Sequence, residues 1–393
     1  MVLLAELNAW ILAMNNSAVD CGLPPAFFDI AEQVYKHDPY WIPEERASIQ
    51  QQFSSENRYF ENGMVKIFIE ENETRLVGFF NPRVTIEGKS AAYFGFWETK
   101  NNLQVNREIF TQFEAWAQAS GAEVIYGPIN FSTFQQNRLR IDDFGQSSFI
   151  DEPHNPSYYP MLMEQLGFQK KYDYVTAINS NVNQLADQVS LTFDSLMSSI
   201  PEGFSFERLN RNIWLDNLEK LYPLVDAIFK ENFAYSPISW EGFQQACGER
   251  FAKKLCPNTS VIVWDKDREI AGFFITYPDY APLVNQSAQK PESISKIDYQ
   301  QHFQQLDSPK LLLAKTCGVS PKYRSFKLFP LMSMQLSLWA KGHYDHIASA
   351  MVREDNVSMS FYKGLVKAGN KDFIPRHYRL FTKGVQKSEV SHA

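Results

Sequence analysis

At 393 residues the chain is longer than one hydrophobic core usually serves, so two domains of similar size are expected. Hydrophobic residues make up 44% and charged residues 21%, the make-up of a soluble globular protein, and the 15% aromatic share suits bulky cores or an aromatic-lined pocket. A formal net charge of −7 excludes a surface that coats DNA as a whole and leaves room for a local basic patch.

The apolar start MVLLAELNAWILAM lacks a basic leader and carries Glu6 and Asn8, so it reads as a first structural element rather than a signal peptide. No run approaches the length of a membrane span. Residues 24–36 place Phe27, Phe28, Ile30, Ala31, Val34 and Tyr35 at helical spacing behind two prolines, and 44–53 resume a polar helix. Residues 66–70 and 76–80 read as a hairpin about Glu71-Asn72-Glu73, and 93–97 as a third strand. Ile109, Phe110, Phe113, Trp116 and Ala117 define a helix over 103–119, stopped by Gly121. Short strands at 124–126 and 172–178 bracket a polar loop and a short helix.

The second half repeats this order. A strand at 203–209 and helices at 213–229 and 240–251 precede a hairpin of 261–264 with 270–277. After a polar insertion at 279–307 come a strand (311–318), a helix (331–341), a strand (346–351), a helix (358–368) and a last strand (377–382). A polar helix near 182–199 joins the halves, which predicts two α+β units, 1–180 and 181–393. The cysteines, Cys21, Cys247, Cys256 and Cys317, lack metal-ligand spacing and read as reduced thiols of a cytoplasmic protein.

The densest run of hydrogen-bonding side chains is the stretch 126–168, where a strand end feeds a polar loop and then a helix, a common place for a small-molecule site. It contains Gly127-Pro128-Ile129-Asn130-Phe131-Ser132-Thr133 and Asn155-Pro156-Ser157-Tyr158-Tyr159-Pro160 with Leu166-Gly167-Phe168. With Arg353-Glu354-Asp355-Asn356 and Arg376-His377-Tyr378-Arg379, these blocks and the element order resemble the GNAT N-acyltransferase superfamily in tandem, and an uncharacterised group of tandem GNAT-like proteins within it. The resemblance implies two mostly antiparallel sheets flanked by helices. In each, a splayed central strand pair would admit the pantetheine arm of an acyl-coenzyme A, such as acetyl-CoA, as a donor co-substrate that is not permanently bound.

That family usually cradles the pyrophosphate with a glycine-rich loop at a helix N-terminus. Here the second half carries Arg324-Ser325-Phe326-Lys327-Leu328-Phe329-Pro330, with Lys327 at the first glycine position, and the first half has no glycine in 98–105. Val319, Arg324, Ser325, Lys327 and Asn356 are the expected donor-binding residues. Lys310, Lys315 and Lys322, with Lys363, Lys367, Lys371, Arg376, Arg379 and Lys383, supply either a basic rim for a phosphate-bearing donor or a solvated face.

Acyl transfer to an amine needs a proton acceptor, an oxyanion donor and an acid for the leaving group. By block position the resemblance makes Tyr158 or Tyr159 in the first half and Tyr362 in the second the candidate acids, and Glu354 and Asp355 are the acid–base carboxylates. Asn130, Ser132, Gln135, Gln136, Arg138 and Tyr158 are suited to polar substrate atoms, or to satisfying loop backbone. The His343/His346 pair lacks a third ligand, so no metal is expected.

The sequence thus predicts an N-acyltransferase that passes an acyl or aminoacyl group from acyl-CoA, a carrier thioester or aminoacyl-tRNA to a small amine, with neither DNA nor membrane as a partner. The rival is a catalytically inactive ligand-binding or regulatory module on the same fold.

Overall fold

The computed structural model describes residues 22–70 and 72–385; the apolar N-terminal run and Cys21 lie outside the described residues. The chain forms two compact units, one built on the residues up to Asp173 together with those from Tyr378 onward, the other on Tyr174–His377. Both are mixed α+β with mostly antiparallel sheets.

In the first unit, β1 (Met64–Glu70), β2 (Thr74–Ile86) and β3 (Lys89–Thr99) form an antiparallel meander. The helix Leu103–Ala119 crosses over to β4 (Val124–Gly127), which runs parallel to β3. β5 (Leu139–Arg140) and the helix Tyr159–Gln165 follow, and then β6 (Gln169–Asn179), a strand whose last residues belong to the second unit. The crossover helix lays Ile109, Phe110, Phe113 and Trp116 on one sheet face, where Phe94 and Phe168 meet them edge to face. On the other face Phe27, Phe53, Phe79, Phe96 and Phe131 form a second aromatic layer. Each such buried ring contributes about 2–3 kcal/mol by area, so the high aromatic content is spent on core.

The second unit follows the same plan. β7 (Ser205–Arg208), β8 (Val261–Trp264), β9 (Ile270–Pro278) and β10 (Leu311–Val319) are antiparallel neighbours, and β11 (His346–Arg353) runs parallel to β10. The helix Leu328–Ala340 makes the crossover, packing Met332 and Leu336 on the sheet. The last residues of β6 close the other edge of β11, antiparallel, with Ile347 opposite Asn179. The final strand β12 (Phe373–Gly384) begins in the second unit and pairs β4 of the first, Phe381 opposite Gly127.

Two expected long helices are each two. The stretch 213–229 breaks at Asn217, whose side chain turns back to the Ile213 carbonyl, giving Arg211–Asp216 and Leu218–Phe229. The stretch 240–251 breaks at Gly248 into Trp240–Cys247 and Glu249–Ala252. Helical periodicity runs through both breaks, so spacing alone did not reveal them.

Candidate active site

Both units carry a parallel strand pair that parts, and in both a bulge sits where the pairing ends. In the first unit β3 and β4 pair from Ala91 opposite Val124 to Tyr93 opposite Tyr126. Beyond this point β3 bulges: Phe96 takes φ +46°, and Phe94 and Trp97, three residues apart, both face the crossover helix. A regular strand would put Phe94 and Phe96 on one face, so one extra residue has been inserted. In the second unit β10 and β11 pair from Leu311 opposite His346 to Ala314 opposite Ser349, and the register of β10 on β9 slips between Ala314 and Thr316.

The two openings differ in what fills them. The loop after β4 fills the first. The Ile129 N–H donates to the Phe94 carbonyl at 2.8 Å, and the Asn130 Oδ1 accepts the Phe96 N–H at 2.7 Å. The approach is so close that a Cβ on Gly95 would stand 2.4 Å from the Ile129 carbonyl oxygen, so only glycine fits there. The helix that follows is also closed, because the Asn102 side chain accepts from the N–H groups of Gln104 and Val105.

In the second unit Lys315, Thr316, Cys317 and Val319 of β10 and Ala350–Arg353 of β11 are half-buried although both strands lie inside the sheet. Half-burial of consecutive residues on two neighbouring interior strands is what an opening between their parted ends would give. The helix Leu328–Ala340 begins without a side-chain cap, from Lys327 in the left-handed region at φ +56°. The first-turn N–H groups of Leu328 and Phe329 therefore stand as an anion-seeking end. The preceding turn, Pro321–Phe326, is pinned. The Tyr323 hydroxyl donates to Asp265, Phe204 packs on Tyr323 and Phe326, and Arg324 donates to the Ile228 carbonyl at 3.1 Å. Arg324, Ser325 and Lys327 stay exposed at its tip. Lysine thus takes the backbone conformation that glycine usually supplies, and a rigid turn holds it there.

Val319 closes β10 opposite Gly272. Glu354 is exposed in the turn after β11, Asp355 pairs with Arg353, and Asn356 accepts from the N–H and hydroxyl of Ser358. Tyr362 lies on the helix Met359–Lys367 with its ring edge on Phe373. Phe361 beside it meets Phe329, whose ring stacks on Phe274, so this helix is drawn to the start of the crossover helix. The structure therefore gathers Val319, Arg324, Ser325 and Lys327, and through Phe361 the helix of Tyr362, about one strand end. Burial pushes the Cys317 thiol up and keeps it neutral.

Of the first-unit candidates, Asn130, Ser132, Tyr158 and Tyr159 have side chains bonded to backbone, whereas Gln135, Gln136 and Arg138 join the loop through their own main-chain groups and both glutamine side chains are exposed. Asn130 closes the bulge, and its N–H donates to the Gln136 carbonyl at 3.0 Å. The Gln135 N–H donates to the Ser132 carbonyl, the Ser132 hydroxyl accepts from the Phe134 N–H, and the Arg138 N–H donates to the Pro128 carbonyl at φ +77°. Asn155 of the second block clamps both backbone groups of Arg140. The Tyr158 hydroxyl donates to the Thr99 carbonyl at 2.7 Å, and Tyr159, fully buried, accepts from the Thr99 N–H and donates to Glu98, each at 2.8 Å.

Sequence reasoning missed two constellations here. Glu98 faces Tyr35 and Tyr159, with the Arg75–Glu44 ion pair behind it at 2.7 Å. Burial pushes the Glu98 carboxyl up to about 7, against the Arg75 charge, and burial together with Glu98 pushes Tyr158 up to about 12. Second, the Ser148 Oγ lies 2.7 Å from His154 Nδ1, and His154 Nε2 lies 2.8 Å from Asp38. This has the order of a nucleophile relay. But Ser148 is 2% exposed and its oxygen also accepts from Arg140, so no carbonyl reaches it. Their partners come from segments up to 116 residues apart, such as Asp38 and His154, and no local pattern announces such pairs.

Among the described residues no group of three or more His, Cys, Asp and Glu could hold a metal ion, and no helix is long and apolar enough to cross a membrane.

No protein-family profile matches the chain. It is similar to protein YghO of Escherichia coli (strain K12), 21% identical over 376 residues, covering 92% of each chain. It is also similar to the bacterial ceramide synthase of Caulobacter vibrioides, 20% identical over 260 residues, 64% of this chain and 66% of that one. Among solved structures, a tandem GNAT protein from the clavulanic acid biosynthesis pathway superposes at a TM-score of 0.49 with 10% identity, over 93% of this chain and 95% of that one.

Proposed function

We propose that the chain is an N-acyltransferase whose second unit holds the activated acyl group. The observation that carries this reading is the half-exposed opening between β10 and β11 beside an uncapped helix start. An acyl thioester laid along the opening would use the strand edges to fix its amide-bearing arm. Its phosphates would meet the Leu328 and Phe329 N–H groups, Arg324, Ser325 and Lys327, with Val319 and Asn356 at the margins. Acyl-CoA is the donor this set fits. The amine attacks the thioester carbonyl, the C–N bond forms and the C–S bond breaks. Glu354 takes the proton that the amine loses, and Tyr362 gives one to the departing thiolate. The C. vibrioides relative's name, a ceramide synthase, favours a lipidic amine as acceptor.

The first unit, with its bulge and helix start filled from within, serves as scaffold in this reading: Asn130, Tyr158 and Tyr159 hold the end of β3 rather than a substrate.

Incubation of the purified chain with a panel of acyl-CoAs and long-chain amines, read by thiol release and product mass, tests the proposal. Turnover that falls at least tenfold in Arg324→Ala with Lys327→Ala supports it. Coenzyme A binding without product across the panel would establish the inactive module instead, and activity only with charged tRNA, lost on RNase treatment, would replace the donor.

A further inference from the structure

The large apolar side chains exposed on the second unit are concentrated on one short stretch. Val357 is 87% exposed, Val366 42% and Ile374 55%. Val357 and Ile374 flank the helix Met359–Lys367 and Val366 lies in its last turn; the helix also carries Met359, Phe361 and Leu365, the first buried and the latter two packed on the core. Lys363, Lys367 and Lys371 are exposed between them, and among the described residues none of the three has an ion-pair partner. The single carboxylate from Val357 to Arg376 is Asp372, which buries one of its oxygens. Glu354 and Asp355 precede the stretch, and Asp355 is already paired with Arg353. Leu191, 82% exposed, lies one helical turn beyond Gln188, which accepts from Asn370 at the far end of the same stretch. In a chain of net charge −7 this is a local excess of three bare positive charges interleaved with protruding aliphatic groups.

We propose that this face docks the second unit on an anionic lipid bilayer, with Val357, Val366 and Ile374 entering the interface and the three lysines on phosphate head groups. Protein–protein interface cores deplete lysine and prefer aromatic groups. A bilayer surface rewards the opposite mixture, isolated aliphatic side chains with lysines that reach up to the phosphates. The charge sign also suits anionic lipid. The stretch begins four residues past the end of β11, so docking would set the rim of the opening against the membrane. If the acceptor is a lipidic amine, as the proposed function has it, this is where it would enter.

The test is co-sedimentation of the full chain with phosphatidylcholine vesicles, with and without phosphatidylglycerol. Binding is expected only with the anionic lipid, weakening as salt rises. Lys363→Glu with Lys367→Glu and Lys371→Glu should lower the partition coefficient about a hundredfold or more, since each lysine near such a surface is worth about fivefold. Val357→Asp with Ile374→Asp should abolish it. All five positions are outward-facing, so the melting temperature should not move. Equal binding to neutral vesicles, or none to either, overturns the proposal. So does light scattering that shows the aspartate variant splitting a dimer while vesicle binding persists, because the face would then belong to a second copy. Vesicle binding is read without turnover, so it is decided apart from the acyl-transfer assay.

Discussion

Glu98 gives the sharpest quantitative test of the division between a filled unit and an open one. Its carboxyl is raised from the ordinary 4.5 to about 7, chiefly by burial. Below the ordinary value both folded and unfolded chains hold the proton. Between about 4.5 and about 7 only the folded chain does, so unfolding releases a proton and stability falls as pH rises, levelling off above the folded value. At about 1.4 kcal/mol per pH unit the full loss is about 3 kcal/mol, an upper bound because Glu98 is partly reached by solvent. Glu98→Gln stays neutral throughout and keeps an oxygen for the Tyr159 hydroxyl. Urea unfolding of both proteins from about pH 5 to about pH 8 should show near-equal stability at the acid end and a variant more stable by about 1–3 kcal/mol at the other. A difference that stays constant with pH would mean that the carboxylate is ionised in the folded state, and the account of a carboxyl held neutral chiefly by burial would fail.

Asn130→Ala should strand the buried Phe96 N–H and cost about 1–3 kcal/mol in urea unfolding, whereas an Asn130 that serves the substrate would show its loss in turnover with stability intact. Lys327→Gly should relax a left-handed lysine and gain about 1 kcal/mol in stability, yet weaken coenzyme A binding by calorimetry because a charge is gone. If affinity is unchanged, Lys327 is merely a turn residue. Ser148→Ala should leave acyl transfer within about twofold of the parent, since loss of a nucleophile costs orders of magnitude; a collapse of activity would revive the relay.

Much of the architecture was legible because periodicity reports burial. The helix Leu103–Ala119 has the bounds its apolar stripe predicts, and β8 does likewise at Val261–Trp264. Less legible was the meaning of the polar loop. A run such as Asn130 to Arg138 reads equally as substrate contacts or as self-satisfied backbone, because both need the same side chains; only the bulge at Phe96, invisible in a strand-like YFGFW, decides where the Asn130 oxygen goes. Glu98 gave no signal either, since what raises its carboxyl is burial together with the Glu44 charge, against Arg75 and the hydroxyls of Tyr159 and Tyr35, all brought from other segments. Net charge likewise hid the lysines of the Met359–Lys367 helix, because a sum over the chain says nothing about one face.

A bulge in a central strand leaves backbone groups that the neighbouring strand no longer satisfies, and a buried unpaired N–H costs about 1–3 kcal/mol. The chain meets that cost in two ways. In the first unit Asn130 and Ile129 pay it permanently, and Gly95 keeps the space that lets them approach. In the second the residues beyond Ala314 and Ser349 stay half-exposed, although the Met351 N–H donates to the Thr176 hydroxyl at 3.0 Å, and the helix start beside them has no side chain of its own to cap it. Water satisfies such groups adequately, but an extended amide-bearing ligand with phosphates at one end satisfies strand edge and helix start together. The filled opening removes binding capacity and adds stability, and the half-exposed one does the reverse, which is why we propose the site in the unit whose opening stays half-exposed beside an uncapped helix start rather than at the loop richest in polar side chains.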